Sequence, residues 1–254
     1  RDSVQHTGTD ILFLSDSGVR SFGRTIQEKS MPMRDISKNV RTDLMHLVPL
    51  QTNAIKSLYS ADEAFYLITL PDSNLVYSFD MRSPLEDGSQ RATSWSSLLP
   101  LSMTTLEDGT IYFGLAAGIV KYSGYLDGTA NYQMRYFSNP MDFGNASNLK
   151  FLKKFTITVI GGQNTDSTLS WGYDYTTNFT KQVFSLSGTS NAGEYGLSEY
   201  NTTAEYTASA VINTPKVNTS GSGEVVTIGV ESELNGSAFS IQKIDIHALL
   251  GRLI

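Results

Sequence analysis

Residues able to do chemistry are few in this chain, and they are scattered. Three histidines, His6, His46 and His247, stand far apart, and none has a partner at a metal-ligand spacing such as HExxH. His46 falls near the end of a helical stretch, where an imidazole suits the helix dipole. His247 alternates within a strand candidate. The chain contains no cysteine, which removes thiol nucleophiles, zinc ribbons and disulfide scaffolds together. No GxSxG elbow, GxGxxG turn or GxxxxGK[ST] loop occurs. A glycosidase would need two carboxylates about 5–10 Å apart. Asp72, Asp80, Glu86, Asp108 and Asp127 are the candidates, and most stand in turn sequences that already account for them. The reading is therefore of a protein with no catalytic, cofactor-binding or metal residues, and with no cofactor.

Two further groups carry binding chemistry. Tyr173, Tyr175, Tyr195, Tyr200 and Tyr206 have the rings to stack on sugars or bases, although strand surfaces and interfaces use the same residues. Arg34, Lys38 and Arg41 fall on one face of a predicted helix. That face is either solvated or a contact surface for an acidic neighbour, and it is the one candidate assembly interface. Ser15-Asp16-Ser17-Gly18 and Asp108-Gly109-Thr110 are similar to the Asp-box turns of sialidases, which are structural there. Both lack the full Ser-x-Asp-x-Gly-x-x-Trp spacing, and no arginine cluster for an acidic sugar accompanies them.

The elements that position these residues are mostly strands. Thr110 to Ser123 reads as strand, tight turn, strand: Ile111-Tyr112-Phe113 is β-branched and aromatic, Gly114 and Gly118 punctuate, and Ile119-Val120 and Tyr122 resume. Asp10 to Phe22 repeats the design. Ile11-Leu12-Phe13-Leu14 aligns with Ile111-Tyr112-Phe113-Gly114, and Ser17-Gly18-Val19 with Ala117-Gly118-Ile119. A looser copy runs from Ala64 to Phe79 around a turn at Pro71–Asn74. Phe13, Leu67 and Phe113 thus recur about 50 residues apart, the spacing of β-propeller blades. Asp-Gly at 87–88, 108–109 and 127–128 supplies chain reversals. One helix interrupts, predicted over Pro32–Val48, with Ser30 as cap, Pro32 in its first turn and Ile36, Val40, Leu44 and Leu47 as an apolar stripe.

Residues 138–150 form a loop by composition, and the pattern changes beyond it. Phe151–Ile160 alternates, with Phe151, Phe155, Ile157 and Val159 on one face. Strands are predicted at 168–175, 180–186, 204–212, 224–232 and 239–250, the last two flanking Asn235-Gly236, a hairpin signal. Residues 188–201 and 213–223 read as long loops. The fold class is all-β: a partial β-propeller of about three blade-like hairpins with one inserted helix (1–143), then an antiparallel β-sandwich-like domain (144–254). Three blades do not close a wheel of four to eight. The expectation is that further blades precede Arg1, in a fragment or cleaved product, or that neighbouring chains complete the arc.

The 254 residues are 40% hydrophobic and only 17% charged, with a net charge of −6. Ordinary domains are about 25% charged. Tight binding to nucleic acid neutralises phosphates with Lys and Arg, so an acidic chain lets duplex pass without holding it. No apolar run approaches the roughly 20 residues that span a bilayer, and no membrane insertion is expected.

Asp10–Thr25 (DILFLSDSGVRSFGRT), Ser37–Leu44 (SKNVRTDL) and Val225–Ile254 (VVTIGVESELNGSAFSIQKIDIHALLGRLI) give the chain a family likeness. It resembles the C-terminal part of the tail nozzle proteins of short-tailed bacteriophages, also called tail tubular protein B and related to packaged-DNA stabilisation protein. The resemblance implies a structural, non-enzymatic subunit without cofactor, assembled in the host cytoplasm into the virion tail. It implies a homo-oligomer, a hexameric ring below portal and adaptor proteins, conducting and retaining double-stranded DNA. The number of blades departs from a complete nozzle. The alternative reading is a carbohydrate-binding or depolymerising propeller of a phage tail. A bacterial surface interaction module is a weaker third.

Overall fold

The computed structural model describes residues 2–23, 35–162, 165–186 and 212–253. They form two compact units, Arg1–Ser123 and Gly124–Ile254, which divide ahead of the 138–150 loop. Both are built from antiparallel strands, and the described residues hold one short α-helix.

Among the described residues, the first unit contains three separate sheets. The first comprises β1 (Gln5–His6), β2 (Ile11–Ser15) and β3 (Gly18–Ser21). The second comprises β4 (Lys56–Ser60), β5 (Phe65–Leu70), β6 (Leu75–Asp80) and β7 (Arg91–Trp95). The third comprises β8 (Ser102–Thr105), β9 (Ile111–Leu115) and β10 (Gly118–Lys121). In each, every strand pairs antiparallel with the next in sequence. The three hairpins legible in the sequence are β2–β3, β5–β6 and β9–β10. Ile11, Phe65 and Ile111 each open a strand that is paired on both sides.

The first and third sheets share one register. Ser15 pairs Gly18 as Leu115 pairs Gly118, and Phe13 pairs Arg20 as Phe113 pairs Val120. In both, a reversal with negative φ at its two loop residues is completed by glycine at positive φ, +128° at Gly18 and +146° at Gly118. L side chains avoid that conformation.

These sheets stack face to face, and β5 shows it most plainly: all six of its residues are buried. Strand alternation sends Tyr66, Ile68 and Leu70 to one side and Phe65 and Leu67 to the other. The even set joins Leu12 and Val19 of the first sheet, with Tyr77 and Phe79. The odd set joins Ile111 and Phe113 of the third, with Leu58 and Val76. A strand in which both alternating sets are apolar needs a cover on each face. At about 1.5–3 kcal/mol per buried large apolar side chain, the two interfaces dominate the unit's stability.

The helix is shorter than its stripe. A 3₁₀ turn (Lys38–Val40) leads into α1 (Arg41–Leu47) and a second 3₁₀ turn (Val48–Leu50). The stripe itself holds: Ile36 and Leu44 are buried, and Val40 and Leu47 pack on the same core. Ile36, however, precedes the helix. Its N–H donates to the Val19 carbonyl (3.1 Å), and its own carbonyl accepts from Gln90 N–H (3.0 Å). Asp35 Oδ1 accepts from Ser37 N–H (2.9 Å) and Ser37 Oγ–H (2.7 Å), a local bond that competes with helical geometry. The predicted start at Ser30 and Pro32 lies outside the described residues.

The second unit is a two-sheet sandwich. One sheet has the order β11 (Tyr132–Phe137), β18 (Val226–Leu234), β13 (Thr165–Tyr173), β14 (Thr180–Leu186). The other centres on the 14-residue β12 (Asn148–Gly161). β15 (Ile212–Asn213), β16 (Lys216–Asn218) and β17 (Ser222–Gly223) pair along β12, as does the long β19 (Phe239–Leu253). Phe155, Ile157 and Val159 face Leu169, Trp171, Ile228 and Val230 in a shared core.

Three expectations change here. Leu152, not Phe151, joins that core, because a bulge between Leu152 and Lys154 shifts the alternation by one residue. Residues 213–223 carry β16 and β17, anchored by buried Val217. Asn235-Gly236 turns the chain as read, with Gly236 at φ +92°. Its flanking strands lie in different sheets, so it is a corner between layers and not a hairpin. The strand predicted at 204–212 and the loop at 188–201 lie outside the described residues, apart from Ile212 in β15.

Candidate functional site

The feature that the first unit leaves open is a pair of sheet faces. The first sheet buries Leu12 and Val19 against the second sheet, so alternation points Ile11 and Phe13 outward. Both are half-buried. Phe22, just beyond β3, is 51% exposed. The third sheet buries Ile111 and Phe113, so Tyr112 and Ile119 point outward, with Ile119 79% exposed. Residues equivalent in register therefore bury opposite faces: Phe113 is sealed where Phe13 is half-open, and Val19 is sealed where Ile119 is bare. Tyr122, the counterpart of Phe22, packs its ring against Phe65 (5.7 Å), Trp95 (6.3 Å) and Phe113 (5.8 Å). Arg20 shares the outward face of the first sheet. Its Nε is shut off from water without a hydrogen bond among the described residues.

The candidate cations do not gather into one patch. Lys38 Nζ lies 2.7 Å from Asp87 Oδ2. Arg41 Nε lies 3.8 Å from Oδ2 of the buried Asp35. Both thus have carboxylate partners within the unit while remaining exposed, and Arg34 lies outside the described residues.

The turn carboxylates are held by their own turns or, at Asp72, by Thr52 and Asn53 from a distant loop. Asp72 accepts from Asn53 N–H (2.9 Å), Asn53 Nδ2 (2.5 Å) and Thr52 N–H. These bonds, Asn53's first, hold its carboxyl down at about 2. Asp108 accepts from Thr110 N–H (2.9 Å) and is lowered by it. Arg82 N–H and Nε both donate to Asp80 Oδ1 at 3.0 Å. Asp127 pairs with Ala130 across its turn, and Glu86 sits beside the turn that Gly88 N–H closes onto the Leu85 carbonyl (2.8 Å).

A cleft of about 200 Å³ opens among Thr7, Thr9, Asp10, Ser21, Tyr59 and Met81. Asp10 is the one carboxylate among its described lining residues. It accepts from the Ser21 hydroxyl and from Gly23 N–H (2.7 Å). No group of three or more His, Asp or Glu that could hold a metal occurs among the described residues. His6 Nδ1 accepts from Gly8 N–H (3.1 Å), while His46 and His247 are exposed. Of the tyrosines, Tyr173 donates to the Ser220 carbonyl (3.0 Å), and Tyr175 is 74% exposed. Tyr195, Tyr200 and Tyr206 lie outside the described residues.

Sequence reasoning missed the outward faces, although their signal was present. The aligned hairpins are apolar at both parities, and a strand apolar at both parities is covered on both sides. No protein-family model matches the chain, and a search among curated proteins returned no match.

Proposed function

We propose that this chain is a structural subunit of a phage tail nozzle, in which its three stacked sheets are consecutive blades of an open propeller arc. One observation carries the reading: β5 is buried at every position between two sheets whose equivalent residues bury opposite faces. Successive wedges of a wheel require that arrangement, and a sandwich or an isolated sheet does not. The likeness of residues 10–25, 37–44 and 225–254 to the tail nozzle family supplies the context. A net charge of −6, repeated around a ring, suits a conduit that repels phosphate. Edge strands, a hazard in any β-rich chain, would be covered by ring neighbours.

Native mass spectrometry of the purified chain tests this reading. A dominant species of six chain masses is expected. A monomer at every concentration overturns it. Release of reducing sugar from a host polysaccharide would favour the depolymerase reading instead.

A further inference from the structure

We propose that the two outward faces of the three-sheet stack meet between copies of this chain, head to tail: the third sheet of one copy lies on the first sheet of the next. This rests on the ring reading and names the surface by which its subunits join.

The register equivalence supplies the argument. The third sheet sits on the second through Ile111, Phe113 and Tyr122. Their counterparts in the first sheet, Ile11, Phe13 and Phe22, are also apolar, and they face away from the stack. The first sheet sits on the second through Leu12 and Val19. Their counterparts in the third sheet, Tyr112 and Ile119, also face away. Counted back from the hairpin loops, Leu70–Leu75 corresponds to Ser15–Gly18 and Leu115–Gly118, so Ile68, and not Leu67 as the sequence spacing suggests, is the counterpart of Phe13 and Phe113. The second sheet thus meets the first with its Ile111-type face (Tyr66, Ile68, Leu70) and the third with its Leu12-type face (Phe65, Leu67), and the stack leaves over one of each. A head-to-tail contact joins the two leftovers as a third pairing of these face types, at a wider angle than the internal ones, since blade spacing throughout would close a wheel of four to eight blades after two copies. A twofold contact would set like against like. Heterologous contacts of this type close into rings when the rotation permits.

The third sheet's outward face also carries polar groups: Ser102 and Thr104 pair in register with Gly114 and Tyr112.

Cysteine cross-linking tests the contact, and the chain's lack of cysteine makes the background clean. Packed sheets lie about 10 Å apart, within reach of a short bismaleimide. The doubly substituted chain Phe13→Cys/Ile119→Cys should give a ladder of cross-linked copies, and neither single variant should. If Phe13→Cys does not fold, the exposed His6→Cys, which shares that face through its pairing with Ile11, replaces it. Adding Tyr112→Glu, on the same outward face, to the double variant should abolish the ladder. A ladder ending at six supports both readings; one ending elsewhere supports the contact and overturns the hexamer. Six-chain particles without cross-links overturn the contact and leave the ring. Self-linking of Ile119→Cys alone overturns the head-to-tail arrangement, and an unlinked monomer overturns both.

Discussion

Gly18 and Gly118 hold equivalent corners of two hairpins, yet their surroundings differ. A Cβ on Gly18 would stand 2.3 Å from Asp35 Oδ2, whereas nothing lies within 4 Å of one on Gly118. Both residues have positive φ, so alanine costs about 1–3 kcal/mol of backbone strain at either site. Only at position 18 does it also displace Asp35, and with it Ser37, whose Oγ accepts from Val19 N–H at 2.9 Å. Urea unfolding should show Gly18→Ala clearly more destabilising than Gly118→Ala, and equal losses would contradict this account. Asp72 offers a pH-dependent counterpart. Its folded value, about 2, lies below the ordinary 3.8 because Asn53 and Thr52 donate to the charged form. The stability it contributes is full above 3.8 and disappears as pH falls towards 2. Asp72→Ala should therefore trail the parent chain at neutral pH and converge with it across that acidic window. A gap that does not change with pH would argue against the Asn53 and Thr52 bonds.

At the scale of elements, β5 is the strand on which the stack depends. Leu67→Ala and Ile68→Ala empty opposite faces, and each should cost about 2–5 kcal/mol in chemical denaturation. A near-neutral result at either residue would mean that one face lacks its cover. The hairpins were legible because their information is local: Ile11–Leu14 and Ile111–Gly114 align in sequence as they do in register. The helical stripe of Ile36, Val40, Leu44 and Leu47 was legible for the same reason, although the bonds that keep Ile36 out of the helix come from Val19 and Gln90, distant in sequence. Partner choice was not legible. Asn235-Gly236 specifies a reversal but not whether the next strand rejoins its sheet or crosses to the other. Lys216–Asn218 is too short to read as a strand until β12 lies beside it. Phe151 lost its place in the core to a bulge, which pairing imposes and local sequence does not announce. In the candidate site, Lys38 and Arg41 were legible as a cationic face, but their partners Asp87 and Asp35 were not.

For the whole molecule, charge and symmetry make separate demands. A conduit should not grip its cargo, so the assembled protein should show no retention on duplex DNA in a gel-shift titration near physiological salt, and only a shallow salt slope below it. Tight binding would be incompatible with the proposed conduit. The ring itself is the central claim, and electron-microscopic class averages of the purified chain test it most directly. The account predicts closed sixfold rings with an open centre. Isolated single chains, or open filaments that never close, would contradict it.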